Sequence, residues 1–228
     1  MANEVIPYLD MCQREGTNLQ RGMNFNLGRG YSVILMSVRR NAPYRDQFDE
    51  DGASVIYEGH DVLRGATLNP KLVDQLDSTP SGRKTQNGLF WDAAFSCRTG
   101  EEPPHIVKIY EKIHQGIWSY NGLFHLVDAW IEQSGERNVF KFRLNAIETS
   151  DEENQNELVL REHRRLIPTP VKIDVWNRDR GMCVICGATT ELHFDHVLPY
   201  SKGGTSLTAQ NVQLLCARHN LSKGAKLL

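Results

Sequence analysis

Four metal-binding side chains, arranged in two short pairs near the C-terminus, limit how this chain folds more than anything else in it. Cys183-Val-Ile-Cys186 forms one pair and Cys216-Ala-Arg-His219 the other. Two ligands three apart on a tight turn grip one tetrahedral ion from the same side, and Cys3His is a normal structural zinc set. Cys183, Cys186, Cys216 and His219 are therefore expected to hold a structural Zn2+. A loop-rich module of about 50 residues buries too little apolar surface to fold without such a staple. Between the pairs lie His193-Phe-Asp195-His196, the turn Ser201-Lys202-Gly203-Gly204 and Asn211-Val-Gln-Leu-Leu215. These residues are too polar and reactive for a spacer, so a second, catalytic site is expected inside the first.

Phosphodiester cleavage needs a base to activate water, a cation to stabilise charge at the phosphate, and a group to orient the base. His196 can take a proton near neutral pH. Asp195 offers the hard oxygen that magnesium or manganese prefers. Asn211 and Asn220 supply neutral amides, one to hold an imidazole and one to ligate a metal. Lys202, Arg218 and Lys223 can meet phosphates. His193 reads as a structural or exposed histidine rather than one near the scissile phosphate.

From about Trp176 to Gly224 the chain resembles the HNH nuclease family, or ββα-metal fold. The resemblance is carried by the CxxC knuckle, Asp-His-Val-Leu-Pro, Ser-Lys-Gly-Gly, Asn-Val-Gln-Leu-Leu-Cys, His-Asn and Lys-Gly. It implies His196 as general base, Asp195 as a ligand of the catalytic metal, and Asn211 as the residue that positions His196. Asn220 stands where the family often has a metal-ligating histidine, and His219 where it usually has a fourth zinc cysteine. The catalytic ion is expected to be Mg2+ or Mn2+, with Ni2+ or Co2+ as alternatives.

The net charge of −2 does not advertise a nucleic-acid binder. Residues 169–228, however, hold seven Lys and Arg against four Asp and Glu, while the remainder carries −5. Counterion release needs local positive charge, not a basic whole protein. No apolar run approaches the ~18 residues that span a bilayer, so no membrane association is expected. The N-terminus lacks the basic and apolar segments of a secretory signal. Cys12 and Cys97 read as free thiols in a reducing compartment, the cytoplasm.

Strands are predicted at 31–38, 54–57, 105–110, 123–130 and 139–144, where β-branched and aromatic residues cluster or alternate with charge. A short helix is predicted near Val5–Gln13, another at Glu157–Arg165 before Pro168-Thr-Pro170 breaks it, and a third at Lys172–Arg180. The fold class expected is α+β: a curved β-sheet or barrel domain with flanking helices over residues 1–147, an acidic linker at 148–168, and a small zinc-stapled domain over 169–228.

Residues 25–146 resemble the SRA (YDG) domain, which recognises modified cytosine by flipping it out of the duplex. The resemblance rests on Tyr44-Arg-Asp-Gln-Phe-Asp-Glu-Asp-Gly52, Val55-Ile-Tyr57-Glu-Gly59 and Tyr120-Asn-Gly122, where the family usually has Tyr-Asp-Gly. It implies that Tyr44 and Tyr57 sandwich the base. A carboxylate accepts from its exocyclic amine, Asp46 being favoured over Asp49. Asn87, in a loop expected at Thr85-Gln-Asn-Gly88, is expected to probe the vacated duplex position. Trp118 and Trp130 read as core.

Together these readings predict a modification-dependent DNA endonuclease acting on duplex DNA that carries 5-methylcytosine or 5-hydroxymethylcytosine. A homodimer is expected, because one nuclease site cuts one strand. Two alternatives remain at this stage: an HNH endonuclease specific for unmodified sequence, and a non-catalytic modified-DNA binding protein.

Overall fold

The computed structural model describes residues 3–39, 41–49, 53–62, 69–147, 166–198 and 203–223. Lys202, the helix expected at 157–165 and all but the last three residues of the linker at 148–168 lie outside them. The chain opens with β1 (Glu4–Pro7), α1 (Tyr8–Glu15), β2 (Met23–Asn24), β3 (Ser32–Met36), β4 (Gln47–Phe48) and β5 (Ser54–Glu58). Next come α2 (Gln86–Thr99), β6 (His105–His114), β7 (Ile117–Ser134) and β8 (Arg137–Ala146). The C-terminal part supplies α3 (Thr169–Arg178), β9 (Leu192–His196), β10 (Val212–Cys216) and α4 (Ala217–Lys223). The fold is α+β, as expected. No helix among the described residues is long and apolar enough to cross a membrane.

All the strands among the described residues join one 10-stranded sheet, with the order β10-β9-β1-β7-β6-β3-β2 and a branch from β7 through β8 and β5 to β4. β7 is the hub. Its first half pairs with β6 and its second half with β8, in hairpins turned at Gly116 and Gly135. Register shifts near Ile109 and between Leu126 and Asp128 bend the sheet. Gly122 faces the first shift at φ +103°, a backbone state that a residue with a Cβ resists. The main core lies between this curved sheet and α2: Ile34, Tyr57, Phe90, Ile109, Phe124 and Phe142 are all buried there.

Three elements differ from the sequence expectation, each for a local reason. The helix expected from Val5 starts only at Tyr8, because Glu4–Pro7 pairs with β7 and Pro7 cannot continue a preceding helical turn. Thr85–Gly88 is not a loop. It is the cap and first turn of the 14-residue α2, where Thr85 Oγ1 accepts from Gly88 N and Gly100 closes the far end in the left-handed region. α3 begins at Thr169, earlier than Lys172, because proline fits the first turn of a helix.

The C-terminal elements do not form a separate sheet. β1 pairs with β7 on one side and, through Glu4 and His193, with β9 on the other. Val5 and Ile113 share one apolar cluster with Val171, Val175, Phe194 and Leu214. Beside it sits a buried polar knot. Lys172 Nζ contacts Glu111 Oε2 at 2.8 Å and Asn121 Oδ1 at 2.6 Å, Asn121 Nδ2 donates to Glu111, and Thr169 Oγ1 donates to the other Glu111 oxygen. Glu111 and Lys172 are both fully buried. Ion pairing offsets the desolvation of each charge only while both partners stay.

Candidate functional site

The knuckles come together as the spacing predicts. The ligand atoms of Cys183, Cys186, Cys216 and His219 all lie within 4.8 Å of one another. His219 Nδ1 is 3.4 Å from Cys183 Sγ and 3.4 Å from Cys216 Sγ, and the Cys186 and Cys216 sulfurs are 3.8 Å apart. A tetrahedral ion with metal–sulfur bonds of about 2.3 Å requires S···S separations of about 3.8 Å, so the set fits one ion of that size. Burial works against ionisation of Cys183. The main-chain N–H groups of Cys216, Cys186 and Ile185, with His219, outweigh it and bring the thiol down to about 6, which favours the thiolate that a metal needs.

Inside this frame β9 and β10 pair in register, Asp195 opposite Gln213 and His196 opposite Val212. β9 thus delivers Asp195 and His196 at its C-terminal end. His196 Nε2 meets Ser206 Oγ at 2.8 Å, and Ser206 is buried. Asn211 acts on the main chain that follows the histidine. Its Oδ1 accepts from Leu198 N, its Nδ2 donates to Leu198 O and Thr205 O, and its own carbonyl accepts from Val197 N. It therefore cinches the loop that leaves His196, and Ser206 is a contact to the imidazole that sequence reasoning missed.

Lys223 is not a phosphate-facing side chain. It is 2% exposed, and its ammonium contacts both Asp195 Oδ2 and the His196 carbonyl. A carboxylate and a carbonyl converging on one cation form a hard donor set of the kind that suits a divalent ion. Arg218 is exposed on α4, beside His219, and Asn220 follows on the same helix, which packs against β9. His193 is mostly buried, its Nδ1 3.2 Å from Glu191 O, and burial lowers its pKa.

A second concentration of polar groups lies in the N-terminal part, around an open cavity of about 1400 Å3 lined by Tyr44, Asp46, Tyr57, His60 and Asp61 among others. That exceeds the roughly 300–1,000 Å3 of a small-molecule site. Asp46 accepts from Ser37 N and Glu58 N, both at 3.1 Å, yet burial still pushes its carboxyl up to about 7. Asp49 instead pairs with Arg143 at 2.9 Å, where both side chains are partly exposed. Burial also works against ionisation of Asp61, but Lys71, Arg137 and Gln75 bond it and hold it below the usual carboxylate range. Behind the wall, Glu58 is buried between Arg137 and Lys141.

Asn87 does not face outward as a probe would. It is 2% exposed, with Oδ1 accepting from His60 N and Nδ2 donating to the carbonyls of His60 and Leu76. Its work is to fix the main chain beside the cavity. Trp118 is buried, as expected, and Trp130 is partly exposed, with Nε1 donating to Glu132.

Residues 183–226 match the family model described as HNH endonuclease. The C-terminal region is an HNH endonuclease domain. The matched stretch includes both the four knuckle side chains and the Asp195–His196 pair. No curated protein matches the chain by sequence. Among solved structures, the chain is similar to the SUVH5 SRA domain in complex with hemimethylated CG DNA, with 19% identity over 68% of this chain and 93% of that one, at a TM-score of 0.47. It is also similar to the modification-dependent TagI restriction endonuclease, with 16% identity over 97% of this chain and 76% of that one, at a TM-score of 0.44.

Proposed function

We propose that the chain is a modification-dependent DNA endonuclease. Residues 1–147 read a flipped 5-methylcytosine or 5-hydroxymethylcytosine, residues 148–168 link, and residues 169–228 cut nearby. The observation that carries this reading is the convergence of Tyr44, Asp46 and Tyr57 on one cavity in a chain that also holds an HNH domain. A flipped pyrimidine needs flat surfaces on which to stack, which Tyr44 and Tyr57 supply, and an acceptor for its exocyclic amine. Asp46, on the cavity wall, suits that task better than the surface-paired Asp49.

In the HNH domain, His196 takes the proton from the attacking water, with Ser206 and the Asn211 cinch holding the imidazole in place. Asp195 with Asn220 would hold a hard divalent ion, magnesium or manganese, which would supply charge neutralisation at the scissile phosphate. Cys183, Cys186, Cys216 and His219 would hold a structural Zn2+, and Arg218 meets the DNA backbone. Cutting both strands requires two nuclease sites, so the working form is a homodimer.

The test is a cleavage assay with magnesium or manganese on matched plasmids that are unmodified, 5-methylcytosine-containing or 5-hydroxymethylcytosine-containing. Cutting confined to modified plasmids is expected, and His196→Ala should cost about 10²–10⁴ in rate while binding to modified DNA stays within a few-fold. Equal cutting of all three plasmids would leave an ordinary endonuclease and remove the reader.

A further inference from the structure

His60 follows Gly59 just beyond β5 and is held more firmly than a loop residue needs to be. Asn87 Oδ1 accepts from its N–H at 2.8 Å and Asn87 Nδ2 donates to its carbonyl at 2.9 Å, so one buried amide clamps both main-chain groups. The ring lines the cavity. There it stacks on Tyr44 with centroids 5.5 Å apart and planes 20° apart. Its Nε2 lies 3.2 Å from Tyr57 Oη, and those two rings are 6.4 Å apart. Gly22 leaves the necessary room, since a Cβ there would come within 2.6 Å of His60 Nε2 and 2.7 Å of Tyr57 Oη.

Both tyrosines assigned to the base are thus already engaged by one imidazole. Lys71 also lies against the Tyr44 ring, 4.3 Å from its centre, but Lys71 is a surface side chain with its ammonium on Asp61. A base arriving through the cavity meets His60. The imidazole is flat and uncharged there: burial draws its pKa down to about 4, which Asp61 opposes and Arg21 reinforces, with Tyr44 and Tyr57 the other titratable groups against it. A neutral heteroaromatic ring offers what a pyrimidine offers, a π face for stacking and an edge for hydrogen bonds.

We propose that His60 is a resident stand-in for the flipped base, filling the place between Tyr44 and Tyr57 in the DNA-free protein and giving way when a modified cytosine enters. The proposal rests on the reader function given above. It makes base entry an exchange of one stacked ring for another. The polar lining stays satisfied in the absence of DNA, and a base is accepted only if its contacts outweigh those His60 gives up.

Two measurements test this on the full-length protein, using one short duplex with a single 5-methylcytosine and its unmodified counterpart. His60→Ala should bind the modified duplex roughly 3- to 10-fold tighter than wild type, the worth of one aromatic pair, with its fold checked by thermal melting. Unchanged or weaker binding by the folded variant overturns the stand-in. Wild-type protein provides a variant-free reading through the NMR titration of the His60 ring. Saturating modified duplex should move its pKa from about 4 toward the ordinary value of about 6.5 as the ring leaves the cavity. A ring that titrates as in the free protein overturns the proposal. If wild type shows no preference for the modified duplex, the reader reading itself falls. If that preference is present and His60 fails both tests, only the stand-in falls.

Discussion

Cys183 and His219 lie 36 positions apart and, with the two ligands between them, make a site from a single short stretch of chain. The cavity is built in the opposite way. Asp46 takes its place against Glu58, which Lys141 holds from 83 positions away, and His60 takes its place through Asn87 reaching back 27 positions. With a metal bound, the first site would concentrate its stability in metal–ligand bonds, whereas the second spreads it over hydrogen bonds and buried side chains from several strands. Local ligands suit a frame that must stay fixed during hydrolysis. Distributed contacts suit a wall in which one ring can exchange for another.

Stripping the metal should break this comparison most strongly, because binding at such structural sites contributes about 10–16 kcal/mol to folding. A chelator, or Cys183→Ala, is expected to abolish hydrogen-exchange protection in β9, β10 and α4 while β6 to β8 keep theirs. Equal protection before and after removal would mean that no structural metal is present.

The polar knot that joins the two regions comes next. Lys172→Met leaves Glu111 buried without its cation, an expected loss of about 3–5 kcal/mol, or about 6–20 °C in Tm for a chain of this size. Lys172→Met with Glu111→Leu should recover much of it. A single variant that melts with wild type would show that the knot does not hold the regions together.

The smallest effect sharpens the cavity side. As pH falls through about 6.5 the unfolded His60 takes a proton, while the folded ring stays neutral down to about 4. Stability is therefore lost on acidification across that window, by roughly 3 kcal/mol in full. His60→Phe removes this loss, so its urea midpoint should fall less than that of wild type between pH 7 and pH 4.5. Parallel falls would mean that the imidazole is not held neutral.

The same contrast decides what could be read from the sequence. The four knuckle ligands and the Asp195–His196 pair were legible because their spacing is local and their chemistry admits few other uses. Ser206 was not legible, since a serine in a polar loop gives no sign that a strand end will bring an imidazole to it. Lys223 looked like a phosphate contact because a basic residue in isolation always does, and only the register of β9 against α4 shows Asp195 beside it. Asn87 was placed on the wrong side of the protein surface. An amide in a Gly-containing stretch reads the same exposed or buried, and the cap pair Thr85 and Gly100 was the signal that the stretch begins a helix. Tyr44, Asp46 and Tyr57, which line one cavity, could be singled out by residue type, but His60 joins them only through Asn87, which no local pattern reveals.

The short strand β1 has a consequence for how this enzyme comes into being. Glu4 is among the first described residues to be synthesised and His193 among the later ones, yet they sit side by side in the finished sheet. Pairs so distant in sequence close late, because the intervening chain must lose its freedom before any contact repays it. Until β9 arrives, one edge of β1 stands open to pair with any other extended chain. The strands that flank the cavity can assemble on a growing polypeptide, whereas the sheet that carries Asp195 and His196 must wait for β9 and β10, which follow them in the chain. The Asp195–His196 pair thus joins a sheet most of whose strands precede it in the chain.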